Sequence, residues 1–198
     1  MGQIYKKIEN YVDRLGTPEG ILLEIGSERG EGSTVYLDEL AKRLGIHFVT
    51  CDIDKERVEK INQQGIDAVC QRGEEYIPTI MENTLNICYL DNFDWNWWVG
   101  REDSDKVWVQ HQIDWYKENH NIVMDNVNCQ ITHLVQSVLI EPKTTKNSII
   151  CFDDTWPEGY YKTYIGKGGA AVTYLLAKGY EVLYTEEFGT ILGRFNHG

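Results

Sequence analysis

The sequence predicts a single α/β doubly wound domain whose seven-stranded, mostly parallel sheet ends in a C-terminal antiparallel hairpin. Three observations carry this. Short apolar runs alternate with segments of helical period, which implies parallel strands joined by right-handed crossovers. Glycines close the helical segments. The last two runs are separated only by a short loop around Gly189, too little for a crossover helix, so they read as a hairpin. The length, 198 residues, suits one domain over 1–198.

The expected strands are Ile21 to Ile25, His47 to Cys51, Ala68 to Cys70, Leu85 to Leu90, Ser148 to Phe152, Glu181 to Tyr184 and Thr190 to Phe195. Between the first two, Val35, Leu37, Leu40, Ala41 and Leu44 keep helical spacing, with Ser33 or Thr34 available as cap and Gly45 as left-handed terminator. Lys55 to Gln64 repeats the scheme with Val58, Ile61 and Gly65. Further helices are expected from Gln130 to Ile140, ended by Pro142, and from Gly169 to Lys178, closed by Gly179. A segment at about 93–126 breaks the alternation. Its stretch from Phe93 to Tyr116 holds Trp95, Trp97, Trp98, Trp108 and Trp115, five of the six tryptophans. An aromatic insertion of that kind serves as a lid, a binding surface, a satellite core or an oligomer contact.

Composition narrows the partners. The net charge of -12 opposes nucleic-acid phosphates and anionic membrane surfaces, so a small molecule or a cation is the expected partner. Cys51, Cys70, Cys88, Cys129 and Cys151 form no CxxC pair, which suits a reducing, cytoplasmic setting. The N-terminus lacks a signal-peptide core, and no apolar run approaches the roughly 20 residues that span a bilayer.

The loop after the first strand, LEIGSERGEGST, is the first candidate site. Gly26, Gly30 and Gly32, together with Ser27 and Ser33, allow a tight strand-to-helix turn and close approach of a ligand. The chain has Glu28 where a dinucleotide fingerprint needs glycine, and no P-loop lysine is present. Glu24, Glu28 and Glu31 outnumber Arg29, an arrangement that repels a pyrophosphate and favours a ligand with a sulfonium and an amino group. S-adenosylmethionine fits that charge pattern better than NAD or ATP. Asp52, ending the second strand ahead of Ile53, is placed to accept hydrogen bonds from a ribose, while Asp54 suits a helix cap. Gly73 and Glu74 follow the third strand and border the expected adenine position.

Asp91 ends the fourth strand, in YLDNFDW, as Asp153 and Asp154 end the fifth, in ICFDDTW. Neighbouring strands lie about 4.8 Å apart, so three carboxylates crowd one sheet edge. Alone, some of them must stay protonated. A divalent cation, Mg²⁺ first with Ca²⁺ or Mn²⁺ as alternatives, resolves the conflict.

Together, LEIGSERGEGST, CDID and the late Asp-Asp pair resemble the class I S-adenosylmethionine-dependent methyltransferases, which are Rossmann-like, in element order from residue 20 onward. LDNFDW followed by FDDTW is similar to the metal-dependent O-methyltransferases of the catechol and caffeoyl-CoA type and of the macrolide-sugar and aminocoumarin-sugar type. The resemblance implies Asp91, Asp153 and Asp154 as metal ligands, Asp91 also bordering the cofactor, and a metal that chelates vicinal oxygens of the methyl acceptor. Catechol-type enzymes carry a lysine three residues after the first metal Asp, where this chain has Asp94. Sugar-modifying relatives use an Asp as base, so Asp94 is the implied base, His111 the reserve, and a vicinal diol or sugar-like small molecule the expected acceptor. A methyltransferase that needs no metal and a non-catalytic binding protein, oligomeric through the tryptophan segment, are the alternatives.

Overall fold

The computed structural model describes residues 3–27, 29–95, 105–186 and 188–195. Its strands are β1 (Ile21–Ile25), β2 (His47–Asp52), β3 (Ala68–Cys70), β4 (Leu85–Leu90), β5 (Thr144–Phe152), β6 (Thr155–Glu158), β7 (Thr163–Gly166), β8 (Glu181–Glu186) and β9 (Gly189–Arg194). The α-helices are α1 (Ile4–Lys7), α2 (Ser33–Leu44), α3 (Lys55–Gln63), α4 (Gly73–Tyr76), α5 (Asp105–His120), α6 (Asn126–Ile140) and α7 (Gly169–Ala177).

Seven strands form one sheet in the order β3-β2-β1-β4-β5-β9-β8. Strands β1 to β5 run parallel, while β9 is antiparallel to both β5 and β8. The expected hairpin is therefore present, with β9 inserted inside the sheet. Burial on both faces explains why the central strands read as unbroken apolar runs. Leu22, Ile87, Tyr89, Ile149 and Cys151 face α2 and α3, with Ile4 and Ile8 packed alongside. Leu23, Ile25, Cys88, Leu90, Ile150 and Phe152 face Ile140 of α6 and Val172 and Leu175 of α7. Consecutive residues alternate between the two cores, as the period of a strand demands.

Several boundaries differ from the expectation. The α2 N-cap is Gly32 without a side-chain bond, because the Thr34 hydroxyl donates to Glu24 Oε2 at 2.7 Å. Helix α6 begins before Gln130, capped by Asp125, whose carboxylate accepts from Asn128 N at 2.7 Å. Strand β5 begins at Thr144 instead of Ser148. The β6–β7 hairpin lay hidden in TWPEGYYKTYIG, where a proline and two exposed tyrosines mask the strand pattern. The tryptophan-rich segment contributes α5, on which Trp108 is exposed, and Trp95 meets Trp156 of β6 edge to face at 6.5 Å. Trp97 and Trp98 lie outside the described residues. All five cysteines are free thiols, four of them buried. Among the described residues no helix is long and apolar enough to cross a membrane.

Candidate functional site

Strand order reverses between β1 and β4: the chain runs outward through β2 and β3 on one side and through β5 on the other. Ligands of such sheets bind at this crevice, beyond the carboxyl ends of the strands. Gly26, at φ 95°, turns the chain out of β1, and a Cβ there would stand 2.6 Å from Asn92 N. Its bareness thus serves contact with the chain after β4. Gly30 at φ 71° likewise makes room for Ile61, whereas at Gly32 the nearest atom to an added Cβ is Tyr5 Oη, 3.8 Å away.

Asp52 fixes the loop. Its carboxylate accepts from Ser27 N at 3.1 Å and from Asp54 N at 3.0 Å. Asp54 caps α3 by accepting from Glu56 N and Arg57 N, as expected. Glu24 is fully buried at the base of the loop; Oε2 accepts from Thr34 Oγ1 at 2.7 Å and Thr50 Oγ1 at 2.8 Å, while Oε1 has no hydrogen-bond partner among the described residues. Burial pushes its carboxyl up to about 7, against the lowering effect of the Ser33, Thr34 and Thr50 hydroxyls. Across the sheet edge Gly73 is buried, and Glu74 receives a long 3.5 Å bond from Gln136 Nε2. Ile53 is half-buried; Glu28 lies outside the described residues.

The three acids after β4 and β5 do meet. Leu90 pairs with Phe152 across the two strands, and Asp153 N donates to Leu90 O at 3.1 Å. Burial, reinforced by the Asp91 charge, raises Asp153 well above the usual carboxylate range. Burial also raises Asp154, opposed by the charge of Lys167. Among the expected metal ligands, Asp91 and Asp154 hold the ammonium of Lys167. Its Nζ stands 2.7 Å from Asp91 Oδ1 and 3.3 Å from Asp154 Oδ2. Burial pulls the ammonium down, but Asp91, Asp154, Asp94 and Asp153 outweigh it and hold Lys167 well above the ordinary lysine range. Among the described residues no group of three or more His, Cys, Asp and Glu side chains is arranged to hold a metal. A divalent ion does not fit here, since it would need the lone pairs that the ammonium engages and would face a positive charge at bonding distance.

Asp94 is exposed and accepts from Gln112 Nε2 at 2.7 Å, while its charge acts on both Asp154 and Lys167. His111 is exposed on α5, and among the described residues no hydrogen bond or ion pair joins it to the cluster. Three residues not singled out in the sequence also belong here. Lys167 is one; the signal was its place in IGKGG, a lysine flanked by glycines. His133 is fully buried on α6 and lowered to about 4, chiefly by burial, with Lys167 and Asp91 among the charges it feels. Its Nδ1 pairs with Cys129 O at 2.8 Å and Nε2 has no partner among the described residues. Tyr5 of α1 is raised by burial and then by the charges of Asp153 and Glu24, which brings the N-terminal helix to the same crevice.

No protein-family model matches the sequence, and no curated protein matches it. The sheet order and the crevice define the fold of the class I S-adenosylmethionine-dependent methyltransferases. The citrinin polyketide synthase CMeT domain is similar at 12% identity and a TM-score of 0.56, over 98% of this chain and 52% of that one. The CurJ carbon methyltransferase is similar at 11% identity and a TM-score of 0.56, over 96% and 52%. Podospora anserina methyltransferase PaMTH1, solved with SAH, is similar at 15% identity and a TM-score of 0.52, over 94% and 75%. The chain spans about half the length of the first two.

Proposed function

We infer that the chain is an S-adenosylmethionine-dependent methyltransferase acting on a hydroxyl of a small polar molecule. The observation that carries this reading is the pair of acids flanking the glycine turn. Asp52 stands at the end of β2, and Glu24 keeps one buried carboxylate oxygen without a partner among the described residues. That oxygen suits an amino group of the ligand, Asp52 suits the ribose hydroxyls, and Ser27, Ser33, Ile53, Gly73 and Glu74 supply the remaining wall. That PaMTH1 was solved with SAH supports the same ligand class.

When bound, S-adenosylmethionine supplies a methyl group on a sulfonium, open to in-line attack by an acceptor lone pair. The chain's own task is then to align the acceptor and take its proton. Asp94 is the proposed proton acceptor, because it is exposed and within electrostatic reach of Lys167 and Asp154. The diol or sugar-like acceptor rests on the resemblance to sugar-modifying relatives with an Asp as base, and that ground stays with Asp94. With Lys167 between Asp91 and Asp154, the reading without a metal is preferred.

The test is calorimetry with S-adenosylhomocysteine, followed by transfer of labelled methyl groups to a panel of alcohols, phenols and diols. Binding at micromolar to sub-millimolar Kd with transfer to a hydroxyl is expected; absence of binding at millimolar ligand overturns the reading. The pH dependence provides a sharper check. Folding raises Glu24 from 4.5 to about 7, so its protonated form favours the free chain below 4.5, and that margin is lost as pH rises through about 7. Pairing with a ligand ammonium needs the ionised form, so affinity is expected to rise about tenfold between pH 6 and pH 8. Glu24→Gln should flatten that profile.

A further inference from the structure

Lys167 is delivered to the acids by a loop held on several sides. Gly166 turns at φ 85°, where a Cβ would lie 1.9 Å from Asp154 O. Lys167 N donates to that same carbonyl at 2.9 Å. Gly168 N donates to Thr155 Oγ1 at 2.8 Å, and a Cβ on Gly168 would stand 2.6 Å from the Phe152 ring. From α6, Gln130 Nε2 donates to Gly166 O at 3.1 Å. The backbone on both sides of the lysine is therefore fixed, and its side chain is buried.

Exposure orders the charges. The Lys167 side chain is 2% exposed, those of Asp91 and Asp154 28% and 27%. The ammonium sits behind the carboxylates, and the carboxylates face the crevice. Asp91 Oδ1 takes the ammonium and Oδ2 accepts from Tyr89 Oη at 3.1 Å. Each partner depends on the other, since an unpaired buried charge costs several kcal/mol.

We propose that Lys167 is the resident cation of this site: its ammonium holds the position between Asp91 and Asp154 that a divalent ion would take, so the site functions without a metal. Lys167 is a positioning residue. Its ammonium pairs with two carboxylates and fixes them at the sheet edge. The surface offered to the acceptor is then made of carboxylates in excess over their counter-ion. A neutral hydroxyl or an amine suits it, and a phosphorylated or carboxylated acceptor does not. The claim about the acceptor rests on the methyltransferase reading; the claim about the cation does not.

Removing the ammonium should convert the acids into an ion site. The experiment is Mn²⁺ titration of the full chain followed by electron paramagnetic resonance, for the wild type, Asp154→Asn, Lys167→Ala and Lys167→Ala/Asp154→Asn. No stoichiometric uptake is expected in the wild type. Lys167→Ala should bind one Mn²⁺ per chain at least tenfold more tightly, and the added Asp154→Asn should abolish the gain. Uptake of one ion by the wild type that Asp154→Asn removes overturns the proposal, as does failure of folded Lys167→Ala to gain a site. Should Lys167→Ala not fold, as judged by circular dichroism, the wild-type and Asp154→Asn titrations still decide. Methyl transfer by the wild type should persist in excess EDTA. Absence of S-adenosylhomocysteine binding would end the methyltransferase reading and leave the titration result standing.

Discussion

Asp52→Ala is expected to weaken S-adenosylhomocysteine binding by at least about a hundredfold, measured by calorimetry at pH 8. Hydrogen bonds to a charged group contribute about 1.5 to 3 kcal/mol each, and a ribose offers two donors, so a loss of about 3 kcal/mol or more follows. The variant also removes the acceptor for Ser27 N and Asp54 N, which orders the glycine turn. Its melting temperature should therefore fall as well. Asp52→Asn keeps one acceptor oxygen and should recover part of both losses. Equal affinity in wild type and Asp52→Ala would remove this residue from the ligand site.

Gly166→Ala carries the largest expected cost to stability. The residue sits at φ 85°, and the added Cβ would lie 1.9 Å from Asp154 O, a separation no relaxation of a side chain can relieve because the obstacle is backbone. Strain of that kind and the forced shift together cost about 2 to 4 kcal/mol, or roughly 4 to 16 °C in Tm for a chain of this size. Gly179→Ala is the control. That glycine has φ 87°, but nothing lies within 4 Å of an added Cβ, so only the conformational part of the cost applies. Similar melting temperatures for the two variants would show that the close approach at Asp154 contributes nothing.

The parts of the site legible in the sequence were those whose chemistry is local. An acid ending a strand stays where the strand ends, so Asp52, Asp91, Asp153 and Asp154 arrive together once the strand order is known. Asp54 caps the next helix through bonds two and three residues away. Lys167 was not legible, because it comes from a hairpin whose strands pair only with each other and lies 76 residues from Asp91. His133 was hidden for a related reason. A histidine in an amphipathic helix reads as solvated unless the helix orientation is known, and α6 turns it inward with Gln136 and Ser137, all three fully buried. The expected α2 cap failed because Thr34 is bonded to Glu24, a partner one strand earlier that no local pattern encodes.

Strand β9, lying between β5 and β8, sets an order on synthesis. A ribosome delivers β1 through β5 long before β9 exists, so the apolar β5 emerges with one row of backbone donors and acceptors bare. Only when β9 follows does that edge close. The nascent chain thus carries an open strand edge while β6, β7, α7 and β8 are made, and a chaperone that shields β5 would act in that interval.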